Sequence, residues 1–282
     1  MKKKLFFIFI FIFILCSCSN NSNVESTTKI EELHDETIKF KMDIDIPDGY
    51  DKKKVDYKYG EMKEYTYNST IYNETKHFSI ILPYNYDSNK TYPLVITIPS
   101  LGESNNDYNK IVRVDAIAGN LMYENKIKEA IILIPNHFMG PNEEFSINNM
   151  FFSDKSPLDI NKNVLPIVKE KYKISDIYMY GFSMGGREAA NYILQFGDIK
   201  AAALVEPFFY DKYAAINNTK IDNLYLIYGT KDGLVLTAPS LLNNVLNSFG
   251  MKHEYIGVDF DHDFECGRQM LFRFLNTVLE VE

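Results

Sequence analysis

The sequence has no tryptophan and only three cysteines in 282 residues. Two of the three, Cys16 and Cys18, stand at the end of an apolar leader, so Cys266 alone is left for the rest of the chain. One thiol cannot close an intrachain disulfide, and the fold must rest on its hydrophobic core. Positive charge is also short. Against 38 Asp and Glu there are 30 Lys and Arg, a net charge of −8. That balance argues against a nucleic-acid binder, whose phosphate-facing surface is basic. Only five histidines occur. No His-x-x-x-His or Cys-x-x-Cys spacing is found among them and the cysteines. No metal and no organic cofactor is therefore expected.

The N-terminus reads as a targeting signal. Lys2, Lys3 and Lys4 precede an unbroken apolar run from Leu5 to Leu15. The run is shorter than the about 20 residues of a membrane-spanning helix and suits a signal peptide. Leu15-Cys16-Ser17-Cys18 follows and resembles the bacterial lipobox. The resemblance implies a signal peptide over residues 1–17 and lipidation at Cys18. Cys16 fits less well, because bulky Ile14 and Leu15 precede it. A diacylglycerol carries two acyl chains, enough for stable anchoring, so an exported, membrane-anchored protein is expected. Residues 18–36 are polar and read as a flexible tether. Residues 37–282 are long enough for one domain.

Within that domain, Phe40, Met42, Ile44 and Ile46 alternate with polar residues and suggest an edge strand before Pro47. Residues 64–70 and 77–82 read as an antiparallel pair. Apolar strands then alternate with amphipathic helices. Strands are expected at 94–98, 130–134, 176–180, 201–205, 224–228 and 253–257. Helices are expected at 107–123, 158–172, 185–196, 239–249 and 268–280. Unbroken apolar strands separated by helices imply an α/β fold, with a mostly parallel central sheet and helices on both faces. In such sheets ligands gather beyond the carboxyl ends of the strands.

The candidate site residues fall at those ends. Gly181-Phe182-Ser183-Met184-Gly185 lies between an apolar strand and a helix, the setting in which a Gly-x-Ser-x-Gly turn exposes a serine nucleophile. A serine hydroxyl is a weak nucleophile and needs a base, which in turn needs an acid to hold it. The expected chain order is Ser, acid, His. Asp232, in Gly229-Thr230-Lys231-Asp232-Gly233, follows a strand, whereas Asp222 precedes it and points to the wrong end. Of the histidines, His34 lies in the tether, His77 and His137 precede Ser183, and His253 opens the last strand. His262 follows that strand, so position and order select it. An oxyanion hole needs two N–H donors: Met184, after the nucleophile, and Leu101, in the loop Pro99-Ser100-Leu101-Gly102-Glu103. Glu206 and Phe208, after the next strand, are weaker candidates for the substrate pocket. Cys266 reads as a buried structural thiol.

These motifs carry a resemblance. Phe78-Ser79-Ile80-Ile81-Leu82-Pro83 with Tyr86, Lys90-Thr91-Tyr92-Pro93-Leu94-Val95, Gly181-Phe182-Ser183-Met184-Gly185-Gly186, Asp232 and His262-Asp263-Phe264 occur in this order. From about Gly60 onward the chain resembles the esterase D-type family of α/β-hydrolases. That family includes feruloyl and acetylxylan esterases of carbohydrate esterase family 1, and siderophore esterases. The resemblance implies a serine esterase with a Ser-His-Asp triad, acting on acylated carbohydrate through feruloyl or acetyl esters. The alternatives are a siderophore or cell-envelope acyl esterase or acyltransferase, and a non-catalytic surface lipoprotein. Two departures stand out: Pro99-Ser100 replaces the family's His-Gly, and Phe264 replaces its Trp. The loop from Asn136 to Ser156 would roof the site, with His137, Phe138 and Phe152 as candidate substrate contacts. A monomer acting on a small ester or acylated carbohydrate is expected.

Overall fold

The computed structural model describes residues 37–101, 103–136, 155–209 and 221–281. The lipidation candidate Cys18, the tether, and the substrate candidates His137, Phe138 and Phe152 lie outside the described residues. No helix among the described residues is long and apolar enough to cross a membrane.

Eight strands form one sheet. They are β1 (Met62–Ser69), β2 (Glu74–Ile81), β3 (Tyr92–Ile98), β4 (Ile131–Pro135), β5 (Ile174–Phe182), β6 (Ala201–Val205), β7 (Asn223–Gly229) and β8 (Glu254–Val258). The order across the sheet is β1-β2-β4-β3-β5-β6-β7-β8. β2 runs antiparallel to both β1 and β4, and every other pairing is parallel. The expected α/β fold with a mostly parallel sheet is the one observed.

The central strands are apolar on both sides because both sides are covered. On β5, Tyr178, Tyr180 and Phe182 enter one core while Ile177 and Met179 enter the other. The first core packs against α1 (Asn105–Val112), α2 (Val114–Tyr123) and the C-terminal helix α7 (Phe264–Val278). The second packs against a helical stretch of α3 (Lys155–Asp159), a π-turn (Ile160–Val164) and α4 (Leu165–Lys171), and against α5 (Met184–Phe196) and α6 (Ala238–Ser248).

Two expectations need correction. The helix read over 107–123 is two helices, broken at Arg113, whose φ is +61°. At the break the Asn109 side chain accepts from Asp115 N at 3.0 Å, and the Arg268 guanidinium donates to the Ile111 carbonyl at 3.0 Å. Side chains thus replace the backbone bonds that a continuous helix would make. The segment around Phe40–Ile46 is not an edge strand. It runs along the first core, with Phe40 buried and Met42, Ile44 and Ile46 packed against it. Side chains take its N–H groups: Asn223 accepts from Ile38 at 2.6 Å, Glu254 from Phe40 at 2.9 Å, and Thr277 from Lys41 at 3.2 Å. The alternation reported one buried side, which a chain laid across helices needs as much as a strand does.

Candidate active site

Ser183 sits between β5 and α5 at φ +57° and ψ −119°, a strained conformation for a residue with a side chain. Its neighbours make that turn possible. A Cβ on Gly181 would lie 2.1 Å from the Gly185 carbonyl oxygen, and one on Gly185 would lie 2.2 Å from that of Ile98 in β3. Only glycine fits either position. The elbow is tied to the sheet, because Ser183 N donates to Val205 O in β6 at 2.9 Å. Its own carbonyl accepts from Arg187 N at 3.1 Å and Phe208 N at 3.2 Å. The serine side chain is thereby fixed at the carboxyl edge of the sheet.

His262 comes from the loop between β8 and α7. Its Nε2 lies 2.8 Å from Ser183 Oγ, and its Nδ1 lies 2.7 Å from Asp232 Oδ2. The imidazole stacks on Phe182, with ring centroids 5.1 Å apart. The acidic residues beside His262 are engaged by the backbone: Asp261 accepts from His262 N at 3.0 Å, and Asp263 caps α7 by accepting from Cys266 N at 2.9 Å.

Asp232 divides its two oxygens between two tasks. Oδ2 meets the imidazole, while Oδ1 accepts from Leu234 N at 2.8 Å and Val235 N at 3.1 Å. Its loop is joined to the histidine loop by Thr230 N to Val258 O at 2.8 Å and Lys231 N to Phe260 O at 3.1 Å. Asp232 and His262 are therefore carried on one braced unit. Asp222 lies before β7, at the opposite end of the strand.

Met184 is the first residue of α5, where a backbone N–H has no acceptor within the helix. Leu101 lies in the turn after β3. The preceding Ser100 gives both its N–H, at 3.2 Å, and its hydroxyl, at 3.1 Å, to Glu103 Oε2. This buried clamp stands where the resembled family has His-Gly. Burial raises the Glu103 carboxyl above its ordinary range, and its bonds from Ser100 act against that rise.

A carboxyl that carries no motif in the sequence also reaches this cluster. Glu206 follows β6 and is fully buried, with Oε2 3.5 Å from His262 Nδ1. Burial first, and the charge of Asp232 second, push its pKa up to about 8. Asp261, Asp263, Cys266, His262 and Tyr180 are the other titratable groups around it. The unfolded carboxyl titrates near about 4.3. The folded state thus holds the proton more tightly, and the stability this gives is fully present below the unfolded pKa and lost as pH rises toward 8. Glu206→Gln cannot ionise. Its melting temperature relative to the unaltered protein should rise between pH 5 and pH 9, as read by thermal unfolding at each pH. Cys266 is fully buried, and burial together with Glu206 raises its thiol far above the ordinary range, so it is a structural thiol and not a nucleophile.

Comparison with known proteins bears on the fold and on the first part of the chain. Residues 69–205 match the family model described as "Putative esterase". A ferulic acid esterase from Anaeromyces mucronatus, solved in complex with ferulic acid, superposes with a TM-score of 0.69 at 22% identity, covering 84% of this chain and 98% of that one. The feruloyl esterase module from Clostridium thermocellum, complexed with sinapinate, gives a TM-score of 0.63 at 15% identity, covering 87% and 97%. The enterochelin esterase from Shigella flexneri gives 0.63 at 15% identity, covering 78% and 59%. At these identities the superpositions speak for the fold alone. The chain has the α/β-hydrolase fold, and residues 69–205 of it match an esterase family.

Proposed function

We propose that the chain is a serine carboxylic-ester hydrolase in which Ser183, His262 and Asp232 act as a triad. The observation that carries this is the unbroken relay of Ser183 Oγ, His262 and Asp232 at 2.8 and 2.7 Å, starting from a strained serine. His262 Nε2 takes the Ser183 proton as Oγ attacks the ester carbonyl. Asp232 keeps the remaining proton on Nδ1 and stabilises the imidazolium that forms. The Met184 and Leu101 N–H groups hold the oxyanion, with Glu103 bracing the loop that carries Leu101. His262 then returns the proton to the departing alcohol, and water, activated by the same imidazole, hydrolyses the acyl-serine.

For the substrate, we infer an acylated carbohydrate bearing feruloyl or acetyl groups. The support is fold likeness to feruloyl esterases, together with exposed Leu101, Leu234 and Leu236 on the loops after β3 and β7. Apolar side chains there suit an aromatic or short acyl group better than a charged one. The test is kcat/KM on a panel of acetyl, feruloyl and longer-chain esters. Preference for feruloyl or acetyl esters over long chains supports the reading, and the reverse order contradicts it.

The lipobox-like Leu15-Cys16-Ser17-Cys18 supports a second part of the proposal, that the enzyme is held at a membrane by lipid on Cys18. In a bacterial host, Cys18→Ala should move the protein from the membrane pellet to the soluble fraction and abolish incorporation of labelled fatty acid. Unchanged incorporation contradicts the assignment.

A further inference from the structure

Two carboxyl groups approach the same imidazole nitrogen. Asp232 Oδ2 lies 2.7 Å from His262 Nδ1, and Glu206 Oε2 lies 3.5 Å from it. The two acids leave the carboxyl ends of adjacent strands, since β6 and β7 pair in parallel and Glu206 N donates to Ile227 O at 2.7 Å. Either loop of this sheet can therefore present an acid to His262.

Local structure bends to place Glu206 there. Its φ is +43°, a left-handed conformation disfavoured for a residue with a long side chain. Gly229, at the end of β7, leaves room for the carboxyl, because a Cβ there would come within 2.2 Å of Glu206 Oε1. Neither oxygen finds a hydrogen bond of good geometry among the described residues, although the side chain is fully buried. The Cys266 thiol beside it is a weak donor. A carboxyl kept only for packing would be costly in that setting, where an unpaired buried polar group destabilises the fold. Its close polar neighbours are the His262 imidazole, the Asp232 carboxylate and the Cys266 thiol, and of these the imidazole is the group it can orient.

We propose that Glu206 is a second acid for His262, a positioning residue that shares Nδ1 with Asp232 and orients the imidazole when Asp232 is lost. This rests on the triad reading above. Burial and the charge of Asp232 both favour the protonated form of Glu206, so the two carboxyls do not compete as anions for the imidazole. Removing Asp232 takes away a negative neighbour, and Glu206 then ionises at lower pH and serves as the anion.

The experiment compares Asp232→Ala with Asp232→Ala/Glu206→Gln by kcat/KM on p-nitrophenyl acetate from pH 5 to pH 10. The single variant should keep at least about tenfold more activity than the double. Its rate should also climb with pH through an ionisation below about 8 that the double variant lacks. The groups around Glu206 other than Asp232, namely Asp261, Asp263, His262, Cys266 and Tyr180, are present in both variants. Equal rates and superimposable profiles would overturn the proposal. If Asp232→Ala does not fold, Asp232→Ser, which keeps an acceptor near the Leu234 and Val235 N–H groups, carries the same comparison. Ser183→Ala separates the two levels of inference. An active Ser183→Ala enzyme refutes the triad itself, whereas an inactive one beside equal Asp232 variants refutes only the role of Glu206.

Discussion

Ser183→Ala should lower kcat/KM for an ester such as p-nitrophenyl acetate by about 10⁴-fold or more while leaving the fold intact. The size follows from what is removed. Oγ is the atom that His262 Nε2 contacts at 2.8 Å, and alanine has nothing in its place to attack a carbonyl. Members of such a relay act as a unit, so loss of the nucleophile removes most of what the base and acid contribute as well. The residual rate would come from the oxyanion donors and from binding. The fold should survive because alanine keeps the Cβ and the backbone bonds to Val205, Arg187 and Phe208. The strain at φ +57° is already present with serine. Kinetics paired with thermal unfolding check both halves. Wild-type hydrolysis by the variant would contradict the nucleophile assignment.

The second large effect is expected at Asp232. Asp232→Asn should cost about 10⁴-fold in kcat, the scale found when a triad acid becomes an amide. The hydrogen bonds explain why asparagine is so damaging here. Oδ1 of residue 232 is committed to the Leu234 and Val235 N–H groups, so the oxygen of asparagine will stay there. Its NH₂ then faces His262 Nδ1, which must accept rather than donate. The ring proton moves to Nε2, where it blocks uptake of the Ser183 proton. Asp232→Ala imposes no such tautomer and leaves Nδ1 to Glu206, so alanine should be the milder substitution. Asp222→Asn, at the amino end of β7, should stay within about threefold of the unaltered enzyme, since it is remote from the relay. A larger loss at Asp222 than at Asp232 would mean that the acid is misassigned.

Much of the site was legible because its signals are local. The Gly-x-Ser-x-Gly turn announces itself through glycines that must lie within five residues of one another, and Gly181 and Gly185 each meet backbone where a Cβ would not fit. Asp232 could be selected because the strand before it is an apolar run, and a residue just past such a run lies at the carboxyl edge, while His262 is the histidine that follows the last strand. The central strands were equally plain, since burial on both sides leaves little room for polar residues. The features that escaped are those decided across distant sequence. The break at Arg113 depends on Asn109 and on Arg268, more than 150 residues away. The path of Phe40–Ile46 depends on Asn223, Glu254 and Thr277. Glu206 does not stand out in the sequence, because a single Glu after a strand carries no motif. A usable clue was present in Gly229, which reads as part of a turn but in the fold clears space for the Glu206 carboxyl. The Ser100–Glu103 clamp was hidden for a similar reason, because it occupies the place of a motif without resembling it.

The most direct test of the Ser183 relay is covalent labelling by a fluorophosphonate probe, with the adduct located by peptide mass spectrometry. A single adduct on Ser183, absent from Ser183→Ala and much slower to form in His262→Ala, is the expected result. No adduct on the folded protein, or an adduct at another residue that persists in Ser183→Ala, would contradict it.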